Sequence, residues 1–149
     1  MGSKRVGLAR TQALIENLKR SLDLTSSTLS GVAVDGATTL STGVQTVAAA
    51  GSNQGSATAI TATTPLVLVT GADGSKGVKL PALSAVPTGT ILIIANTAAA
   101  VLKVYPASGD KVLPLADDAD FTMAASTTAI CVAADATQWI GFEGAVIAG

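Results

Sequence analysis

The sequence predicts a mainly β protein: a small antiparallel β-sandwich or barrel, jelly-roll-like, preceded by one N-terminal amphipathic helix and an extended arm. Three observations carry this. Short apolar runs recur from about Ala57 to Phe142, each bounded by Gly, Pro, Asn or Asp, as in folds built from many short strands. Within Val101–Tyr105, Leu102 and Val104 alternate with Val101, Lys103 and Tyr105, which suits a pleated strand with one buried face. Only the stretch from Val6 to about Leu24 shows helical spacing.

In that stretch Leu8, Ile15 and Leu22 recur every seven residues, with Thr11 and Leu18 between them and Leu14 widening the stripe. Fewer than three heptads make a weak coiled coil alone. The stripe therefore packs on a partner surface or on symmetry mates, or folds back on its own domain. The same segment carries Lys4, Arg5, Arg10, Lys19 and Arg20 against Glu16 alone, while the whole chain has a net charge of −1. Such a basic face meets an acidic partner, nucleic acid or membrane, or is a solvated helix surface. Thr25-Ser26-Ser27 ends the helix, giving a first segment of residues 1–25.

Residues 26–56 are mostly Ser, Thr, Gly and Ala with scattered Val. Fixing a residue costs roughly 1–2 kcal/mol of backbone entropy. Side chains this small offset little of that, so an ordered arm is expected to be held by neighbouring chains. The β domain is expected over 57–149. Its strands are read at Thr58–Ala62, Leu66–Thr70, Val78–Leu80, Thr90–Ala95, Val101–Tyr105, Lys111–Leu113, Asp120–Met123, Thr127–Ala133 and Trp139–Phe142. Thr90–Ala95 has the β-branched enrichment of a central strand buried on both faces. Gly71–Gly77 and Pro106–Asp110 are read as hairpin turns, with Gly109 supplying a positive φ.

Composition narrows the function. Hydrophobic residues reach 48%, but aromatics only 3% and charged residues 13%. A surface so poor in charge is weakly protected against association, so oligomerisation is expected. The chain has no histidine and one cysteine, Cys131. That excludes a Ser-His-Asp or Cys-His relay, a His-ligated metal and an intrachain disulfide. Cys131, within Ala129-Ile130-Cys131-Val132-Ala133, is expected to be a buried, inert thiol. No apolar run approaches the ~20 residues of a membrane helix, and a soluble protein made in the cytoplasm is expected.

Three motifs invite a chemical reading. Thr70–Gly77 resembles a phosphate-binding turn, with Lys76 in reach, but the extended Val78-Lys79-Leu80-Pro81 follows where such motifs need a helix. Asp117, Asp118 and Asp120 could gather around Ca²⁺, yet their spacing is not that of a calcium loop; a solvated turn is the expected alternative. Tyr105 and Trp139 could stack on a sugar or a base, or serve as core and trimer-contact residues. No enzyme activity, cofactor or metal site is expected.

Four blocks carry a resemblance: Gly77-Val78-Lys79-Leu80-Pro81-Ala82; Gly89-Thr90 with its strand to Asn96; Val104-Tyr105-Pro106-Ala107-Ser108-Gly109-Asp110; and Ala134-Asp135-Ala136-Thr137-Gln138-Trp139. Their order resembles a small β domain of tailed-bacteriophage virion proteins: head decoration, cement and head-fibre components, often trimeric. The resemblance spans Ala57–Phe142. It implies that Tyr105, Pro106, Gly109 and Asp110 form a structural turn and that Trp139 closes the core. The function expected on these grounds is a capsid decoration or cement protein on the virion surface. It would be a homotrimer docked on the major capsid protein, or another virion protein, through its N-terminal arm, with no membrane and no direct nucleic acid contact. The alternatives are a tail or fibre-tip protein that binds a host glycan, and a connector or plug.

Overall fold

The structure, a computed structural model, describes residues 7, 10–13, 43–62 and 64–144. The chain divides after Thr39 into two units, and the second, Leu40–Gly149, holds the β fold. Its strands are β1 (Val44–Ala48), β2 (Thr58–Ala59), β3 (Leu66–Thr70), β4 (Gly77–Lys79), β5 (Ile91–Asn96), β6 (Leu102–Tyr105), β7 (Lys111–Leu113), β8 (Phe121–Met123), β9 (Thr128–Ala133) and β10 (Gln138–Glu143). They form a six-stranded sheet ordered β1-β3-β5-β9-β10-β7 and a four-stranded sheet ordered β2-β4-β6-β8.

The mainly β expectation holds, but the connectivity is that of a short β-solenoid rather than an antiparallel, jelly-roll-like sandwich or barrel. The chain passes from the large sheet to the small one and back four times. The first three coils, β1–β2, β3–β4 and β5–β6, lie parallel on one another. Val44 stands beside Leu66 and Leu66 beside Ile93 in one sheet, while Thr58, Val78 and Val104 align in the other. Between strands, antiparallel pairing enters as β9 returns on β5, β10 on β9 and β8 on β6; β7 joins the edge parallel to β10. Gly71–Lys76 and Pro106–Asp110 are therefore corners between sheets, not hairpin turns. Alternation reports which face of a strand is buried; it is silent on whether the next strand pairs in the same sheet. Among the described strands only β9 and β10 are sequence neighbours that pair.

The core lies between the two sheets. Val67, Val69, Leu92 and Ile94 point inward from the large sheet, and Val78, Leu102, Val104 and Met123 meet them from the small one, all fully buried. Each such side chain contributes roughly 1.5–3 kcal/mol. Trp139, also fully buried, is the bulkiest member. Thr90–Ala95 does not bury both faces: Leu92 and Ile94 are inside, but Ile91 is half exposed and Ile93 only partly covered.

The β fold starts earlier than Ala57. Strand β1 falls inside the expected arm, and Val47, Ala49 and Ala57 are buried. The loop after β1 is tied to the small sheet, where the Tyr105 hydroxyl donates to the Ser52 carbonyl at 3.0 Å and Gln54 Nε2 donates to the Pro106 carbonyl at 3.0 Å. Ser52 and Gln54, within the expected arm, thus contact their own chain's β domain. Of the predicted helix, Gly7 and residues 10–13 are helical, with Arg10 and Thr11 exposed and Thr11 Oγ1 donating to the Gly7 carbonyl at 2.9 Å. Lys4, Arg5, Leu8, Ile15, Leu18, Lys19, Arg20 and Leu22 lie outside the described residues.

Candidate interaction surface

The residues singled out by their chemistry are used to hold the scaffold. In the corner after β6, Pro106 is buried, Gly109 has φ of +84°, and the Asp110 N–H donates to the Ala107 carbonyl at 3.0 Å. Asp110 is itself 8% exposed, and its Oδ2 accepts the Leu83 N–H at 2.9 Å, fastening the 3₁₀ turn Leu83–Ala85 to this corner. Tyr105 should face outward by alternation, yet it is 5% exposed because the loop bearing Ser52 covers it. Beneath its ring lies Gly77, where a Cβ would come within 2.7 Å of Tyr105 Cε2. The ring and the missing side chain fit each other.

Asp117, Asp118 and Asp120 take separate partners. Asp118 Oδ1 accepts from the Gly109 N–H at 2.8 Å and from Gln54 Nε2 at 2.9 Å, which holds its carboxyl below the ordinary range. Asp117 faces Lys111 at 3.7 Å and Asp120 faces Lys103 at 3.8 Å. In the Thr70–Gly77 corner, Lys76 pairs with Asp73 at 3.0 Å, and Asp73 also accepts from Ser75 and from the Lys76 N–H. These contacts, the lysine first, depress its carboxyl strongly. Asp135 accepts from the Thr137 N–H and hydroxyl at 2.7 and 2.9 Å, closing the β9–β10 turn. Cys131 is buried, and desolvation pushes its thiol up to about 12.

Trp139 is wholly inside, and its indole N–H meets no acceptor among the described residues. With Tyr105 covered as well, the aromatic pair forms no platform for a sugar or a base. A cleft of about 220 Å³ opens beside β7, lined by Val112, Leu113, Pro114, Phe121 and Glu143. Its carboxylate is committed: Glu143 Oε1 accepts the Ala124 N–H at 2.7 Å and the Thr127 hydroxyl at 2.9 Å. Sequence reading missed this fastening and that of Asn96. Asn96 is 2% exposed; its Nδ2 donates to the Ala100 and Ala124 carbonyls at 2.8 and 2.9 Å, and its Oδ1 accepts the Ala98 N–H at 3.1 Å. The one available signal was an amide at the end of an apolar strand.

The surface feature that stands out is the outer face of the six-stranded sheet. Because side chains alternate, one row across five strands reads Val44, Leu66, Ile93, Ile130, Phe142. A parallel row reads Ile91, Val132, Ile140, Leu113. Next to the first row lies Thr46, Leu68, Ala95, Thr128. Val44, Ile91, Leu113, Ile130 and Phe142 keep between 38% and 60% of their surface open. The only charged side chain these strands turn to that side is Lys111 at the edge, and Asp117 partners it. No family model, curated protein or solved structure matches the chain.

Proposed function

We propose that this chain is a structural protein of a tailed-bacteriophage virion, a decoration or cement protein whose β domain forms a knob on the head shell. The observation that carries the reading is the pairing of a broad apolar sheet face with a scaffold that consumes its own reactive groups. The acids and aromatics of the resemblance blocks serve corners and core: Tyr105 and Asp110 lock one corner, Asp135 closes the last turn, and Trp139 fills the interior. A face made of Ile, Leu, Val and Phe on a rigid pleated surface suits assembly rather than turnover. In this reading copies of the knob cluster, while the basic, amphipathic N-terminal segment docks on shell subunits. Weak contacts repeated over many copies then brace the shell through effective concentration.

The test is copy number and attachment. Quantitative mass spectrometry of purified particles should find the chain in numbers comparable with the shell's own subunits. Deleting residues 1–25 should release it from particles while leaving a folded β domain. A chain absent from particles, or full occupancy by the truncated form, contradicts the proposal.

A further inference from the structure

We infer that the outer face of the six-stranded sheet, centred on Ile93, Ile130 and Phe142, is the surface through which one copy of this chain binds a second copy. The inference deepens the knob reading and rests on it only for the idea that copies cluster; the face itself is argued from its size and chemistry. The five most open side chains together amount to about two and a half fully exposed ones, on the order of 500 Å² of apolar surface at typical side-chain areas. Partly covered Leu66, Leu68, Ile93, Val132 and Ile140 add to it. The largest apolar patch on an ordinary monomer is about 300–600 Å², and a standard interface buries about 800 Å² from each partner. The face thus already reaches the upper monomer range from five residues, and with its partly covered neighbours approaches what a stable pair needs.

Its charge pattern selects the partner. A foreign partner chosen by electrostatics would leave complementary charges on the face, and these strands turn only Lys111 to it, at the edge and beside Asp117. Two copies laid face to face bring no like charges together near the axis, so the surface is complementary to itself. Sheets packed this way sit about 10 Å apart, with rows of branched side chains between them. The rows Val44–Phe142 and Ile91–Leu113 supply those side chains.

Crosslinking of the full-length chain in solution tests this. In Ile130→Cys the new thiol lies on the face, and the native Cys131 is buried with its thiol pushed up to about 12, so it does not compete. A short bismaleimide should join Ile130→Cys chains about tenfold faster than Ser108→Cys chains, whose thiol sits on an exposed corner, because the interface raises local concentration. Phe142→Asp should lower the sedimentation mass of the chain while its far-UV circular dichroism is kept, since Phe142 is 60% exposed. Equal crosslinking rates at the two positions, or an unchanged mass for Phe142→Asp, would overturn the inference. Neither outcome depends on particles, so it is distinguishable from failure of the virion reading.

Discussion

Gly77→Ala should destabilise the β domain, although glycine-to-alanine changes in ordinary backbone usually stabilise. Gly77 is not among the glycines held at positive φ, so alanine meets no backbone strain, and restricting the unfolded chain favours it by about 0.4–1 kcal/mol. Against this, the added methyl would lie 2.7 Å from Tyr105 Cε2 and 2.8 Å from the Lys103 carbonyl oxygen. The ring cannot swing away freely, because its hydroxyl is held by Ser52. Nor can the strands part without loss: the Lys103 N–H donates to the Lys76 carbonyl, and the Gly77 N–H to that of Gly51. Overpacking of this kind costs about 1–3 kcal/mol, so a net loss of roughly 1–2 kcal/mol is expected. For a domain of this size that lowers Tm by about 5–15 °C. Urea titration followed by circular dichroism, at one fixed chain concentration because assembly also stabilises, would measure it. In a Tyr105→Ala background the cost of Gly77→Ala should fall without vanishing, since the Lys103 carbonyl remains; the double-mutant cycle reports that coupling. A Gly77→Ala protein as stable as the parent, or the same cost in both backgrounds, refutes the packing argument.

Other outcomes follow from the same contacts. Asp110→Ala strands the buried Leu83 N–H and should cost about 1–3 kcal/mol, whereas Asp110→Asn keeps an acceptor and should cost less; chemical denaturation compares them. Asn96→Asp exchanges an amide donor shared by two carbonyls for a carboxylate and should lower Tm at neutral pH more than at acidic pH, where burial beside those carbonyls favours the protonated acid, which can still donate to one of them. Stability should also fall on acidification. Asp73, Asp118 and Asp135 have their pKa values lowered in the folded state by hydrogen bonds. Their contribution is therefore present above the unfolded carboxylate range near pH 4 and is lost as pH falls through the folded values. Thermal melts from pH 7 to pH 3 should show that slope, and it should flatten in Asp118→Asn. Cys131 should resist maleimide in the native chain and react on unfolding, because burial disfavours its thiolate.

Much of this fold is legible in the residues, and the illegible part has definite causes. The strands Leu66–Thr70, Leu102–Tyr105, Thr128–Ala133 and Gln138–Glu143 announce themselves by alternation and by their Gly, Pro and Asp boundaries. The partner of each strand is not announced. A corner and a hairpin use the same turn residues, so Gly71–Lys76 predicts a reversal where the chain instead changes sheets. Strand β1 escapes notice because Val44-Gln45-Thr46-Val47-Ala48 lies among Ser, Thr and Gly, and only Val47 is buried. Its place comes from pairing with β3, a long-range fact. The candidate surface was hidden for a related reason. Ile91 and Ile93 look like the inner residues of a doubly buried strand, and only the solenoid topology turns them outward beside Ile130 and Leu66. Tyr105, Asp110 and Trp139 were marked by the resemblance, and the contacts that use them became visible once the Ser52 loop and the Leu83 turn were in place.

A reconstruction of purified particles carrying the chain would decide whether this solenoid is a knob assembled on a head shell. Density is expected for β domains standing on the outer surface of the shell in symmetric clusters, with the Ile130 sheet face turned toward a neighbouring copy. Density confined to the tail, or isolated domains with that face open to solvent, would contradict it.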